Sequence, residues 1–304
     1  MTDAIAAKYA HLADSGIRAF LVEGERLYPE NAVSFTLEQQ RAFYDRYCAH
    51  FRKPRPPGLG VEDFSVEGIP CRRYLPRTAT GATVLYLHGG GFVVGGLESH
   101  DDICAEIAAG AETTVVAVAY RLAPEHPFPA AFDDCWAVVR HLLADGQGIV
   151  LAGDSAGGNL AAALALKARD EGVTQVRGQV LIYPGLGGDI GKGSYVTQAQ
   201  APGHTTKDVL FYRNTYKGGS DKYAEPLRET DFRNVAPAFL VAAGLDPLHD
   251  DSVHYAAQLR NAGVAAEVRD EPLLVHAFLR ARHMSMPAAA SFKAIVAAMR
   301  QFKA

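Results

Sequence analysis

The segment at residues 153–157 places a serine between two glycines. It has the form G-x-S-x-G, with Ser155 at its centre. The apolar run at 148–152 before it predicts a strand, and the Ala- and Leu-rich run at 159–168 after it predicts a helix. A sharp strand-to-helix turn needs glycine on both sides of the serine, and it exposes the hydroxyl at a helix N-terminus, where developing negative charge is favoured. The pattern predicts a nucleophilic serine; the alternative is a tight turn without chemistry.

A serine nucleophile needs a base, and the base needs an acid that orients it. For a serine on such a turn, the expected chain order is serine, acid, histidine. Asp246 follows the apolar run at 240–244, and His276 stands among apolar residues at 274–278, past the last predicted strand. Both fit the ends of consecutive strands in one parallel sheet. The alternatives are an aspartate that only forms a turn or caps a helix, and a histidine that only fills the core.

Other histidines fit the role of the base less well. His254 and His283 fall in predicted helices. His249 comes just after Asp246 but has no strand end of its own. His88 precedes the serine, and it is better placed to shape the glycine loop that follows it.

Residues 88–92 read His-Gly-Gly-Gly-Phe and follow a continuous apolar run at 84–87. Such a run is expected of a strand buried on both faces. Three glycines let the backbone approach a substrate closely, and acyl transfer needs preorganised N–H donors for its oxyanion. The loop is a candidate for part of an oxyanion hole, and the alternative is a flexible turn. The phosphate-loop pattern G-x-x-x-x-G-K-[ST] is absent from the sequence.

The composition narrows the class of protein. The chain has 304 residues, a length that is common for an α/β protein with one large sheet. Of these residues 48% are hydrophobic and 21% charged, which is ordinary for a globular protein. The net charge of −4 argues against nucleic-acid binding, and the first five residues lack the pattern of a signal peptide. The long uncharged stretch at 78–97 is too rich in glycine for a membrane span. The four cysteines lack C-x-x-C spacing, which favours reduced thiols in the cytoplasm and leaves disulfides open.

The first 55 residues differ from the rest of the chain. Helical spacing and a capping box at Thr36 and Gln39 predict a pair of helices there. Aromatic residues repeat every four positions in the second of them: Phe43, Tyr47 and Phe51. The proline-rich segment at 53–58 then ends the helix. We predict a helical N-terminal cap over residues 1–55, which packs on the domain or serves as a lid over an active site.

From residue 84 on, strand and helix patterns alternate. The alternation predicts an α/β fold with a mostly parallel central sheet flanked by helices, in a catalytic domain over residues 56–304. The pattern lapses after residue 184, where 185–202 is glycine-rich and 206–217 fits one helix. An insertion after the carboxyl end of a strand lies on the ligand side of such a sheet. We therefore interpret residues 185–220 as a second candidate cap segment.

Five motifs follow one another along the chain in a distinctive order. They are HGGGF at 88–92, YRLAPE at 120–125, GDSAGG at 153–158, DPL at 246–248 and HAF at 276–278. Together they resemble the bacterial hormone-sensitive-lipase-like esterases, which have the α/β-hydrolase fold. The similarity covers roughly residues 60–304, and the helical start resembles the N-terminal cap of that family.

The resemblance implies a role for each motif residue. Ser155 is expected to be the nucleophile, His276 the base and Asp246 the acid that orients it. The oxyanion donors are expected to be the backbone N–H groups of Gly90, Gly91 and Ala156. The implied activity is hydrolysis of small-molecule esters with short or medium acyl chains through an acyl-enzyme, without a cofactor or a metal. We expect no nucleic-acid partner and no membrane span, and a homodimer is compatible with these expectations.

Two other functions use the same residues or the same fold. An amidohydrolase such as a formamidase would apply the serine, histidine and aspartate to an amide. A non-catalytic binder is the other alternative, since some plant hormone receptors resemble this family but lack the histidine. Residues of the required types stand at all three positions here, which favours an enzyme.

Overall fold

Eight strands form one sheet in the computed structural model, which describes residues 2–29 and 31–304. Their bounds are β1 Leu59–Val66, β2 Ile69–Pro76, β3 Thr83–Leu87, β4 Val115–Val118, β5 Ile149–Asp154, β6 Val176–Ile182, β7 Ala238–Leu245 and β8 Ala266–Val275. The order across the sheet is β1-β2-β4-β3-β5-β6-β7-β8. β2 runs antiparallel to both of its neighbours, and every other neighbouring pair is parallel. The predicted α/β fold with a mostly parallel sheet is confirmed.

Helices cover both faces of the sheet. Their bounds are α1 Thr2–Lys8, α2 Ser15–Leu27, α3 Leu37–Phe51, α4 Asp101–Ala111, α5 Ala130–Leu143, α6 Ala156–Asp170, α7 Ser194–Thr197, α8 Thr206–Tyr216, α9 His249–Asn261 and α10 Met286–Phe302. Short 3₁₀ helices cover Ala32–Ser34, Glu98–His100, Pro226–Arg228 and Phe278–Ala281. Successive β3 side chains enter opposite cores: Val84 and Tyr86 pack with α4 and α10, and Leu85 and Leu87 pack with α5 and α6. The sheet is thus buried on both faces.

The N-terminal segment forms three α-helices rather than the predicted pair. The additional break lies at Asp14, whose carboxylate accepts a hydrogen bond from the Ile17 backbone N–H at 2.7 Å and begins α2. The capping box predicted before α3 is present. The predicted cap over residues 1–55 includes Met1 and Glu30, which lie outside the described residues.

The aromatic stripe of α3 does not bury as one unit. Phe51 is buried in the core and Tyr47 is half-buried, but Phe43 packs edge-on against Phe35 with ring centroids 5.3 Å apart. Each four-residue step overshoots a helical turn of 3.6 residues, so the stripe drifts around the helix. Tyr44, which the pattern did not single out, lies beside Tyr47 on the face that points into the molecule.

The irregular segment between β6 and β7 contains the predicted helix as α8 and one short helix, α7, that was not predicted. His254 lies in α9 as predicted, but the prediction that His283 is helical is wrong. Ser285 accepts a hydrogen bond from the Ala288 backbone N–H and caps α10, so His283 stays in the preceding turn. All four cysteines are buried free thiols. Among the helices of the described chain, none combines the length and apolar character needed to cross a membrane.

Candidate active site

Ser155 occupies a strained turn between β5 and α6. Its backbone has φ 53° and ψ −118°, outside the regions that residues with a side chain normally adopt. A Cβ on Gly153 would lie 2.4 Å from the Gly157 backbone, and one on Gly157 would lie 1.9 Å from the Leu87 carbonyl oxygen. The two glycines therefore allow α6 to start directly against β3, and the turn holds Ser155 at the carboxyl end of the sheet.

Asp246 and His276 lie at the ends of the neighbouring strands β7 and β8, where Leu245 pairs with Val275. The His276 Nε2 atom lies 2.9 Å from the Ser155 hydroxyl oxygen. Its Nδ1 atom lies 2.6 Å from the Asp246 carboxylate. The structure thus brings the three predicted residues into one hydrogen-bonded chain.

The charge state of Asp246 suits an acid that orients a histidine. Its side chain is fully buried, and burial by itself would raise the carboxyl pKa. The neighbouring His276 and the hydrogen bonds from His276 and the Leu248 backbone N–H outweigh burial and hold the pKa of Asp246 below its usual range. Asp246 is therefore a carboxylate that accepts the Nδ1–H of His276.

The glycine loop curls beside Ser155. The carbonyl oxygen of Gly90 accepts hydrogen bonds from the backbone N–H groups of Val93 and Val94, both at 3.0 Å. Gly90 and Gly91 adopt φ of 124° and 59°, and a Cβ on either would clash with neighbouring atoms. In the described chain, no hydrogen bond uses the backbone N–H of Gly90, Gly91 or Ala156. These N–H groups are free to bind a ligand oxygen.

Asp154, the residue before Ser155, connects the glycine loop to the turn that carries the serine. Its buried carboxylate accepts hydrogen bonds from the Tyr86 hydroxyl at 2.8 Å and from the Gly89 backbone N–H at 3.1 Å. His100 Nε2 lies 3.2 Å from the same carboxylate. Burial opposes ionisation, but His100, the Tyr86 hydroxyl and Arg280 hold the pKa of Asp154 well below its usual range. Sequence reasoning missed this role, although the acid at the second position of the motif was a visible signal.

Two of the other candidate histidines, His88 and His249, have contacts away from Ser155. His88 stacks on Tyr120 with ring centroids 4.2 Å apart, and its Nδ1 lies 2.8 Å from the Gly89 carbonyl oxygen, so it shapes the glycine loop as predicted. His249 pairs with the carboxylates of Asp250 and Asp270. It is therefore not part of the hydrogen-bonded chain at Ser155.

His204 is a site residue that the sequence did not reveal. Its ring stacks on His276 with centroids 4.2 Å apart and an angle of 21° between the planes. Burial and the neighbouring His276 lower the pKa of His204, which favours the neutral ring. Donor atoms of His204, Asp246 and His276 lie within 4.8 Å of one another, close enough to consider a metal ion. His276 and Asp246 already bind each other through Nδ1 and the carboxylate, so the arrangement fits a proton-transfer site better.

Ser155 opens onto a cavity of about 220 Å³. The wall contributed by the N-terminal helices consists of Tyr9, Phe20, Leu21, Gly24, Glu25, Tyr28, Pro29, Ala32, Val33, Tyr44 and Tyr47. The segment around α8 supplies Gly203, His204, Thr205, Asp208, Val209, Tyr212 and Arg213. The hydroxyl oxygens of Tyr28 and Tyr212 lie 3.4 Å apart and join the two walls. Aromatic and apolar groups dominate the lining, which suits an apolar substrate chain.

Acid is expected to destabilise the fold through His88. Burial lowers the pKa of His88 from 6.5 to about 3. As the pH falls from 6.5 toward 3, the unfolded chain gains a proton that the folded chain does not, so the free energy of unfolding decreases. At pH 5 the contribution of His88 to this loss is about 2 kcal/mol. Urea unfolding at pH 7 and pH 5 measures the loss.

The matched variant is His88→Phe, which keeps a ring to stack on Tyr120 but cannot titrate. We expect its loss of stability between pH 7 and pH 5 to be about 2 kcal/mol smaller than that of the wild type. An equal loss in both proteins would show that His88 is not the source of the acid sensitivity.

Comparisons with known proteins identify the family. A family model described as the alpha/beta hydrolase fold matches residues 84–280. The chain is 40% identical over 248 residues to the esterase LipI of Mycobacterium tuberculosis, covering 75% of this chain and 78% of that protein. It is 38% identical over 234 residues to an ethyl acetate hydrolase of Pseudomonas putida, covering 70% of this chain and 72% of that protein. A hyperthermophilic esterase from the archaeon Pyrobaculum calidifontis has a TM-score of 0.82 at 33% identity, covering 88% of this chain and 94% of that one.

The family match spans more than half of the chain, and it agrees with the sheet topology and with the predicted resemblance. The relatives bear the names of enzymes that hydrolyse esters. The chain therefore belongs to the α/β-hydrolase fold family, as a hormone-sensitive-lipase-like carboxylic ester hydrolase.

Proposed function

We propose that Ser155, His276 and Asp246 are the catalytic triad of this esterase. The observation that carries the proposal is the unbroken chain of hydrogen bonds, 2.9 Å from Ser155 to His276 and 2.6 Å from His276 to Asp246. Ser155 Oγ attacks the ester carbonyl carbon while His276 Nε2 takes the hydroxyl proton. The Asp246 carboxylate keeps the other ring nitrogen protonated and stabilises the imidazolium that forms.

The tetrahedral intermediate then collapses into an acyl-enzyme. The carbon–oxygen bond to the alcohol breaks, and the imidazolium of His276 returns its proton to the departing alkoxide. A water molecule next gives its proton to His276 and attacks the acyl carbon. Ser155 leaves with that proton, which restores the free enzyme and releases a carboxylic acid.

We assign the oxyanion hole to the backbone N–H groups of Gly90, Gly91 and Ala156. Two features support the assignment: these groups make no hydrogen bond within the described chain, and all three residues line the cavity at Ser155. Ala156 is also the first residue of α6, where unpaired N–H groups favour negative charge. Donors fixed by the fold need no reorganisation as the oxyanion forms.

The cap over residues 1–55 and the second segment over 185–220 are proposed to form the wall that selects the acyl chain. Both contribute lining residues, and the cavity of about 220 Å³ suits short or medium acyl chains. A cytoplasmic location is proposed because the four cysteines are free thiols, as in reducing compartments. The homodimer stays a prediction that light scattering would check.

The test of this function is a hydrolysis screen with p-nitrophenyl esters from acetate to decanoate, and with anilides of the same acids. We expect ester hydrolysis to peak at a short or medium chain and to exceed anilide hydrolysis. Faster cleavage of the anilides would assign the site to amides instead.

Narrowing the cavity at Val33 is expected to shift the preference toward shorter chains. Val33 lines the cavity from the 3₁₀ helix Ala32–Ser34. Val33→Trp should lower kcat/KM for the hexanoate ester relative to acetate by about tenfold or more, because one methylene misplaced in a pocket costs about 10- to 200-fold. The matched control is Val196→Trp, at a residue that is 56% exposed and outside the lining. Equal chain-length profiles for all three proteins would contradict the role of the cap.

A further inference from the structure

Arg280 is a deeply buried cation with no carboxylate of the described chain within ion-pair distance. It lies four residues after His276, in the 3₁₀ helix Phe278–Ala281, and is 5% exposed. Among the ion pairs of residues 2–29 and 31–304, none within 4.0 Å involves Arg280. A charge removed from water is costly unless a group of opposite charge compensates for it.

Other buried arginines in the same chain do have such partners. Arg72 contacts the carboxylates of Asp63, Glu98 and Asp101. Arg282, two residues beyond Arg280, contacts those of Asp102 and Glu106. Arg280 makes no direct contact with a carboxylate: its Nη2 lies 3.4 Å from His100, which in turn contacts Asp154, and the Asp154 charge acts on Arg280 only across this gap.

The hydrogen bonds of Arg280 leave part of its guanidinium free. Nη1 donates to the Ser99 carbonyl oxygen at 2.8 Å, and Nη2 lies 3.2 Å from the Tyr44 hydroxyl. The rings of Tyr44 and Tyr47 flank the cation at 5.5 and 5.8 Å from their centroids. In the described chain, no hydrogen bond uses Nε. Since a guanidinium carries five N–H donors, Nε and one N–H of Nη1 are left for another acceptor.

Arg280 belongs to the wall of the substrate cavity. Arg280 lines the same cavity as Ser155 and His276, together with Tyr44 and Tyr47. The site therefore offers a buried positive charge inside an otherwise largely apolar chamber.

The carboxylates that also line this cavity are already engaged elsewhere. Glu25 accepts hydrogen bonds from the Lys8 ammonium and the Tyr9 hydroxyl. Asp208 belongs to the capping box at the start of α8. Asp154 is held by Tyr86, Gly89 and His100, as described above. No lining carboxylate of the described chain is thus bound to Arg280.

We propose that Arg280 is a specificity residue that binds a free carboxylate of the substrate, so that the enzyme prefers half-esters of dicarboxylic acids. The inference rests on the proposed function of Ser155. The ester carbonyl lies at Ser155, and the second carboxylate of the same acid accepts hydrogen bonds from the guanidinium of Arg280. Because the wall is built from helices and packed rings, one spacer length between the two groups should fit better than its neighbours.

The test compares matched substrates that differ only in charge. The monoethyl esters of succinic, glutaric and adipic acid are each paired with the ethyl ester that carries a terminal carboxamide in place of the carboxylate. We expect kcat/KM of the best half-ester to exceed that of its carboxamide twin by about tenfold or more, because a buried hydrogen bond to a charged group is a strong one. Equal rates for all three pairs would overturn the proposal.

Variants then assign the preference to Arg280. In Arg280→Gln, kcat/KM for the half-ester is expected to be about equal to that for its carboxamide twin. Arg280→Lys keeps the charge but lacks the planar pair of N–H donors, so we expect an intermediate ratio. The control is Arg213→Gln, since Arg213 also lines the cavity but already donates to Gly188 and Tyr195. Loss of the preference in Arg213→Gln with its retention in Arg280→Gln would overturn the assignment.

A binding measurement separates this inference from the catalytic one. Calorimetry with Ser155→Ala and glutarate needs no turnover, and we expect binding that glutaramide and the double variant Ser155→Ala/Arg280→Gln lack. Glutarate binding without ester hydrolysis by the wild type would preserve the anion site and defeat the proposed function. Hydrolysis of p-nitrophenyl butyrate without glutarate binding would preserve the proposed function and defeat the anion site. Arg280→Lys supplies the comparison if Arg280→Gln does not fold.

Discussion

Ser155→Ala is expected to lower kcat for p-nitrophenyl butyrate by about 10⁴- to 10⁶-fold, as triad removals do. The strained turn holds this one hydroxyl at 2.9 Å from His276 Nε2, and alanine removes the oxygen that we propose forms the acyl-enzyme. Alanine keeps the backbone and the volume of the site almost unchanged, so the fold should be retained. Steady-state kinetics measures the loss.

The control for this variant is Ser65→Ala, which removes a hydroxyl from an exposed position of β1. It should hydrolyse the ester like the wild type, and thermal unfolding should show all three proteins folded. If Ser155→Ala kept more than about a tenth of the wild-type rate, another residue would have to be the nucleophile.

His276→Ala is expected to have a loss of similar size, because without a base Ser155 stays a neutral alcohol and the leaving alkoxide receives no proton. The Asp246 carboxylate, fully buried and 2.6 Å from His276, would also lose the partner that stabilises its charge. We therefore expect a lower free energy of unfolding as well as a rate reduced by about 10⁴-fold or more. Kinetics and urea unfolding of the same preparation measure the two effects.

His249→Ala provides the matched comparison for the base. His249 follows Asp246 closely in the sequence, but it pairs with Asp250 and Asp270 instead. The variant should retain most of the activity. Activity that survived in His276→Ala and disappeared in His249→Ala would mean that the base had been assigned to the wrong histidine.

The turn at Ser155 and the two strand ends could be predicted because their signals are local. Glycines at positions 153 and 157 predict a turn without room for side chains. The structure confirms this, because a Cβ at either position would clash with neighbouring backbone atoms. Asp246 and His276 each follow an apolar run, and strands that adjoin in a parallel sheet bring their carboxyl ends together. Local sequence patterns and the expected sheet topology were therefore sufficient to predict that Ser155, Asp246 and His276 lie close together.

The cavity wall could not be predicted because it depends on contacts between distant segments. His204 stacks on His276 only because the segment after β6 folds back over the sheet. In the sequence, nothing distinguishes Arg280 from a surface arginine. Its position in the cavity wall depends on α3, which brings Tyr44 into contact with it. The break between α1 and α2 was missed for a different reason, since a single capping aspartate, Asp14, decides it.

The most direct test of the account is covalent labelling of the nucleophile. A 4-nitrophenyl alkylphosphonate releases nitrophenol when a hydroxyl activated in this way attacks its phosphorus, and the phosphonyl group stays on that oxygen. Intact-mass and peptide mass spectrometry should find one adduct per chain, on the peptide that contains Ser155, and none on Ser155→Ala. An adduct on another residue, or equal labelling of wild type and Ser155→Ala, would contradict the assignment of Ser155 as the nucleophile.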